Sequence, residues 1–448
     1  MIFKSGRNNR LKGVQILALG FLCIILLGGL ILSLPISSAS GESTNLIDSI
    51  FTATSAVCVT GLVTVDTGTH WNIFGQSIIM ILIEIGGLGF VTFATMGSIA
   101  LGRKITLRNR LIIQDAMNTF NIQGVVKMMQ FIVMFTFSVQ IIGAVIFSTQ
   151  FIPEFGIAKG IYYSIFHSIS AFCNAGFDIF GGYASLTDYT SNFVVIMNAS
   201  LLIIIGGLGF TVWLDLRQYK VNKRLSTHSK LVLWVTGILI VGSFILMFIF
   251  EYNNINTMAN MSFGDKLLNS FFAAVTPRTA GFNSISVADM TIGSLFLTII
   301  LMFIGGSPGS TAGGLKTSTF GIIIVTVISV IKGREDAEVF KKKIPKEQVY
   351  KAFTLILLAA VLVVSVTMIL SYTEVGATFI EILFETVSAL GTAGLSMGIT
   401  GDLSNIGKVL IMMMMYLGRV GALTVILSLM RNKKNVGVKY PEGKILIG

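Results

Sequence analysis

Apolar residues run along this chain in long blocks with at most one or two charges each, not at alternating or helical spacing. The first block, 14–34, holds 21 residues without a charge. At ~1.5 Å rise per residue a helix of that length covers ~30 Å, the thickness of a bilayer core. Further blocks follow at 73–101, 125–151, 193–214, 230–250, 292–331, 352–371 and 405–430. They predict eight spanning helices, the sixth interrupted. Between each odd and even span lies a shorter, less apolar stretch, at 46–62, 160–177, 265–282 and 378–395. Such stretches are too short to cross and predict re-entrant segments.

The four short stretches repeat one another. Aligned on Gly61, Gly176, Gly281 and Gly394, each has a small residue just before the glycine: Thr60, Ala175, Ala280 and Ala393. Each has Leu or Phe just after it, and each has Phe ten residues earlier: Phe51, Phe166, Phe271 and Phe384. Six residues before the glycine stand Ser55, Ser170, Val275 and Ser388. The following spans repeat as well. Ile85-Gly86-Gly87-Leu88-Gly89-Phe90 recurs as Ile205-Gly206-Gly207-Leu208-Gly209-Phe210, then as Ile304-Gly305-Gly306-Ser307-Pro308-Gly309 and Leu417-Gly418-Arg419-Val420-Gly421-Ala422. The unit is span, re-entrant helix, extended loop, span, four times over. The expected fold is an all-α polytopic membrane protein, with four span–pore loop–span repeats around a pseudo-fourfold central pore. The expected boundaries are 1–101, 102–214, 215–331 and 332–430, with 431–448 as a cytoplasmic tail.

Composition agrees with a membrane location: 53% of residues are hydrophobic and 12% charged, against about 25% charged in soluble domains. The net charge of +11 raises nucleic acid as a partner, and its distribution removes it. The N-terminus, 102–127, 216–230, 332–351 and 431–448 hold 26 of the 32 Lys and Arg. The alternate segments hold four: Lys159, Lys266, Arg278 and Lys408. Basic residues concentrate on the cytoplasmic side, so both termini are expected inside the cell membrane. The outer segments hold 13 Asp and Glu, a composition that suits a cation-attracting vestibule. The first apolar run is longer than a signal-peptide core and reads as a retained span. Cys23, Cys58 and Cys173 form no disulfide or zinc pattern, and His70, His167 and His228 show no metal spacing. No catalytic motif is present. For His167 and Cys173, packing is the expected role.

A chain that enters the membrane as a short helix must return as extended backbone, which is tolerated there only when buried or lining a cavity. Four such strands around an axis present carbonyl oxygens that replace the hydration shell of an alkali cation. Glycine permits the positive φ that turns a carbonyl inward, and helix C-termini aimed at the axis favour a cation. The candidate K⁺-binding residues are Cys58, Val59, Thr60 and Gly61; Cys173, Asn174, Ala175 and Gly176; Arg278, Thr279, Ala280 and Gly281; and Gly391, Thr392, Ala393 and Gly394.

This arrangement resembles the Trk/Ktr/HKT superfamily of K⁺ transporters over nearly the whole chain. The sequence starts directly at the first span, without two extra N-terminal helices, and in this resembles the short bacterial Ktr membrane subunit more than the Trk one. The resemblance implies K⁺ preference from glycine in all four filters, since serine in the first goes with Na⁺. It also implies a homodimer, with a cytoplasmic ring of nucleotide-binding subunits beneath it. The tail containing Tyr440-Pro441-Glu442-Gly443-Lys444-Ile445 resembles the Ktr segment that helps dimerisation. No cofactor is expected; K⁺ is the transported ion and Na⁺ a candidate activator. The alternative is a Na⁺-coupled or less selective monovalent cation transporter.

The third repeat breaks its second span with Gly305, Gly306, Ser307, Pro308, Gly309, Ser310, Thr311, Ala312, Gly313 and Gly314, a run that cannot stay helical mid-membrane. The resemblance implies that this loop, 305–316, is a gate. GSTAGGLKT at 309–317 approaches a phosphate-binding loop, but Leu315 interrupts the spacing and no strand precedes it. Arg419 occupies the place of Gly87, Gly207 and Gly306. Two roles stay open for it: an electrostatic barrier beside the loop, or a bond to helix-break carbonyls. Lys316 is expected to snorkel to the inner interface, with binding to the loop as the alternative. Glu84 is expected to be a hydrogen-bond partner and Asp178 to stand at the outer mouth.

Overall fold

The computed structural model describes residues 13–100 and 124–421; the basic N-terminus, most of the 102–127 loop and the 431–448 tail lie outside the described residues. The first helix of each repeat is long and lipid-facing: α1 (Gly13–Leu32), α5 (Val125–Phe155), α9 (Thr227–Glu251) and α13 (Lys346–Thr373). Each contains an apolar window long enough to cross a bilayer. The re-entrant helices are α2 (Leu46–Cys58), α6 (Ile157–Cys173), α10 (Phe263–Val275) and α14 (Phe379–Gly391). The second spans begin as α3 (Ile73–Leu88), α7 (Phe193–Gly207), α11 (Ile292–Phe303) and α15 (Asn405–Val420). Asn72, Asn192, Thr291 and Ser404 cap these four helices with side-chain oxygens. That satisfies backbone donors where each helix begins.

The second spans of the first three repeats are broken, which corrects the expectation of continuous helices at 73–101 and 193–214; the expected span 405–430 lies outside the described residues beyond 421. The chain turns at Gly89 before α4 (Phe90–Ala100) and at Gly209 before α8 (Phe210–Asn222), where the bend is 91°. In the third repeat, 304–316 separate α11 from α12 (Thr317–Ile331), and α15 ends at Gly421. Gly89, Gly209 and Gly421 have φ of +80°, +91° and +91°, a conformation that side chains resist. The apolar glycine repeat thus marks a break that hydropathy does not register. Among the described residues the one sheet is a hairpin, β1 (Glu338–Val339) with β2 (Lys342–Lys343), in the 332–351 loop.

The repeats close on themselves. α3 packs against α6, α7 against α10, α11 against α14, and α15 back against α2. Each second span therefore supports the next repeat's re-entrant helix. An ion pair between Lys408 Nζ and Asp48 Oδ1, 2.8 Å, ties the fourth repeat to the first. Gly86, Gly206 and Gly418 let the second span touch its own re-entrant helix at backbone level. A Cβ there would fall 2.2, 1.9 and 2.1 Å from the carbonyl oxygens of Val57, Phe172 and Leu390.

Candidate functional site

The ends of the four re-entrant helices meet. Val59, Asn174, Thr279 and Thr392 are all left-handed, and two residues later Gly61, Gly176, Gly281 and Gly394 also have positive φ. In three repeats the turn is the same: the amides of Thr60, Ala175 and Ala393 donate over 2.8 Å to the carbonyls of Ser55, Ser170 and Ser388. This is the six-to-one bond that ends a helix at a left-handed residue. The third repeat differs by one residue, with Ala280 N donating to Thr276 O at 2.9 Å.

Hydroxyls behind the strands hold them. Ser55 Oγ accepts from Gly61 N at 3.0 Å, and Ser170 Oγ donates to Phe177 O at 2.7 Å. Thr276 Oγ1 donates to Phe282 O in the third repeat. The sequence alignment placed Val275 at this position; the slipped turn gives the task to Thr276 instead. In the fourth repeat Glu385, which sequence reasoning missed, accepts from Thr400 Oγ1 at 2.5 Å in the loop beyond the strand.

The four strands form a closed ring. A Cβ at Gly61 would lie 2.6 Å from Ala175 O, at Gly176 2.6 Å from Ala280 O, at Gly281 3.0 Å from Ala393 O, and at Gly394 2.0 Å from Thr60 O. Each glycine thus fits against the carbonyl of the next strand, and the order one-two-three-four returns to one. Cys58, Cys173 and Gly391 are the last turns of their helices and are buried, as is Arg278. Arg278 turns away from the ring, its Nη2 reaching Thr236 Oγ1 on α9 at 3.4 Å. All four glycines line one open cavity of about 550 Å³, with Asp178 and Asp402 in its wall.

Residues 304–316 fold against the ring from three sides. Ser307 N donates to Gly207 O at 3.0 Å, Phe210 N to Gly309 O at 2.8 Å and Thr311 N to Gly206 O at 3.3 Å, filling the break in the second repeat. Gly314 N donates to Gly418 O at 3.2 Å, and a Cβ at Gly314 would lie 2.7 Å from Gly391 O. Ile304 and Leu315 form a bridge that closes the loop's neck, and Thr317 N donates to Gly306 O at 3.0 Å. Ser310 Oγ donates to Ser307 O at 2.7 Å. Pro308 O stands 2.6 Å from where a Cβ on Gly209 would be.

Arg419 spans the assembly. It donates to Thr311 O of the loop and to Gly86 O and Gly87 O of α3, the last at 3.0 Å. Of its two expected roles, the bond to helix-break carbonyls is therefore present. Lys316 does not snorkel: Nζ donates to Ala312 O at 2.6 Å. The α11–α12 break turns its side chain back over the loop, whose carbonyls lack helical donors. Glu84 accepts from Gln140 Nε2 at 2.8 Å and Cys173 Sγ at 3.3 Å, so it is a hydrogen-bond partner. His167 stacks on Phe180 with ring centres 4.2 Å apart, a packing role.

Four pore-loop units closed in a ring, with their four glycines lining one open cavity, define a four-repeat pore-loop membrane protein. The family model for cation transport proteins, TrkH, matches residues 24–436. The chain is 48% identical to the potassium/sodium uptake protein NtpJ of Enterococcus hirae over 100% of both chains. It is 41% identical to the Ktr system potassium uptake protein B of Bacillus subtilis, covering 97% of this chain and 96% of the relative. The crystal structure of the potassium transporter TrkH from Vibrio parahaemolyticus superposes with a TM-score of 0.74 at 18% identity, covering 95% and 86% of the two chains. The chain belongs to the TrkH family of cation transport proteins.

Proposed function

We propose that this protein takes up K⁺ across the cell membrane through the four-glycine ring, acting as a selectivity filter, and that loop 305–316 with Arg419 is its gate. The observation that carries the reading is the cyclic fit of each ring glycine against the next strand's carbonyl at the floor of one cavity. Ring carbonyls can stand in for the water around an alkali ion. The docked loop, held by Lys316 and Arg419, is the support for gating. Charge asymmetry supports termini inside the cell. In this reading the chain works as a homodimer on a cytoplasmic nucleotide-binding ring; relatives named as proteins of a Ktr system support a partnered assembly. The Enterococcus relative's name carries sodium as well as potassium, which favours Na⁺ passage or activation as a second reading.

Expression in a cell lacking K⁺ uptake tests both. The protein is expected to restore growth at low K⁺. Gly61→Ser forces a Cβ within 2.6 Å of Ala175 O, displacing a carbonyl from the ring, and is expected to let Na⁺ through with K⁺. No rescue by the unaltered protein would refute uptake. An unchanged K⁺/Na⁺ preference in Gly61→Ser would refute the filter.

Asp178 adds a pH dependence. Burial, and then the nearby Asp66 carboxylate, push its pKa up to about 7, while backbone N–H groups of Phe180 and Gly181 oppose the rise. Above that pH the carboxylate is charged and attracts cations into the cavity; below it the group is neutral. K⁺ uptake is expected to fall roughly threefold as external pH drops through 7. Asp178→Asn is expected to be slow and flat across that range. A profile that keeps its step near pH 7 in Asp178→Asn would refute the assignment to Asp178.

A further inference from the structure

Two residues before the ring glycine, three strands carry a polar side chain, Asn174, Thr279 and Thr392, and the first carries Val59. The Asn174 amide is fully buried. One of its terminal atoms lies 3.4 Å from Thr311 Oγ1 in the loop. The other lies 3.3 Å from Thr279 Oγ1 in the third strand. With its nitrogen toward the loop, the amide also donates to Phe172 O at 3.1 Å and Ile203 O at 3.3 Å. Those two carbonyls then take both amide hydrogens, so the loop meets the amide at the shared Phe172 carbonyl, while the amide oxygen faces the Thr279 hydroxyl. Thr311 Oγ1 reaches Phe172 O as well, at 3.1 Å. On the opposite side Thr392 fills the space above Gly313, where a Cβ would fall 2.3 Å from its Oγ1. The loop therefore rests on side chains of the second and fourth strands, and reaches the third through Asn174.

We propose that Asn174 is a positioning residue that couples the loop to the ring, so that release of the loop weakens the ring's preference for K⁺ over Na⁺. The inference rests on the filter and gate reading above. When Thr311 withdraws, the buried Phe172 carbonyl that it shares with the Asn174 amide loses a donor, which only a shift of that amide or entering water replaces. Its neighbours are the strands whose carbonyls form the ring, and discrimination between two alkali ions depends on how those carbonyls are held.

The backbone at Asn174 is left-handed, with φ of +61°, so Asn174→Gly keeps the strand's conformation and deletes the amide with all its bonds. Thr311→Val removes the hydroxyl from the loop side at constant shape. In reconstituted vesicles each is expected to lower the K⁺/Na⁺ flux ratio by roughly three- to tenfold. The double variant is expected to be no worse than either single, the signature of one shared link. Thr311→Ser keeps the hydroxyl and is expected to keep the ratio. Two results overturn the coupling: an unchanged ratio in both single variants, or single effects that multiply in the double. If Asn174→Gly does not fold, Thr311→Val decides alone. Shortening the loop separates this from the reading it rests on. Raised K⁺ flux at an unchanged ratio leaves the gate standing and removes the coupling. Unchanged K⁺ flux removes both.

Discussion

Replacing Arg419 with alanine is expected to raise K⁺ flux about thirtyfold. A unit charge ~8 Å from a passing cation, at an effective dielectric constant of about 20, costs ~2 kcal/mol, which is a rate factor of that size. The bonds of Arg419 add a second effect. Its guanidinium joins Thr311 O in the loop to Gly86 O and Gly87 O at the end of α3. Charged donors to carbonyls are the stronger class of hydrogen bond, so alanine both lowers the barrier and unties the loop. Lysine separates the two: it keeps the charge, but a point donor cannot span the loop and α3 as a planar fork does. Flux is expected to rank alanine above lysine above the unaltered protein, measured in vesicles with thermal stability followed in parallel. Lysine equal to the unaltered protein would leave only the charge. Alanine without effect, in a folded protein, would sink the barrier and the tie together.

The sequence carried the ring because its demands are local. A glycine forced to positive φ and a small residue before it recur at one spacing whatever surrounds them, and four copies make the pattern visible. The breaks after Gly86-Gly87 were less legible. Leu208 and Phe210 keep hydropathy high across a 91° bend, and Leu88 and Phe90 keep it high across the turn at Gly89, so an apolar average reads through both. Contacts that depend on distant parts of the chain were beyond reach. Lys316 finds its acceptors only because the loop folds back beneath it. Arg419 finds Gly86 and Gly87 only because the fourth repeat returns beside the first. The replacement of Val275 by Thr276 is a one-residue slip, which an alignment without gaps cannot represent. Glu385 and Gln140 looked like isolated polar residues in apolar helices. A buried polar group of that kind needs a partner, and that signal could have flagged them without naming Thr400 or Glu84.

The same substitution at the four ring glycines is expected to do unequal damage, and the order is fixed by clearance. Glycine to alanine adds one Cβ, and all four positions share a positive φ, so the backbone penalty of ~1–2 kcal/mol is common to them. What differs is the distance to the next strand's carbonyl: 2.0 Å at Gly394, 2.6 Å at Gly61 and Gly176, and 3.0 Å at Gly281. Contacts near 3.0 Å yield to a small shift. At 2.0 Å the Thr60 carbonyl has to leave its place, and overpacking of that kind adds ~1–3 kcal/mol. Gly394→Ala is therefore expected to cut K⁺ uptake at least about a hundredfold. Gly61→Ala and Gly176→Ala fall between, and Gly281→Ala is the mildest. Uptake by the four single variants, normalised to membrane protein level, gives the ranking. Gly281→Ala as harmful as Gly394→Ala would mean that strand flexibility, not the fit between neighbouring strands, sets the tolerance of the ring. A graded series would show that the joint between the fourth strand and the first, where the repeats close, is the tightest contact the ion path depends on.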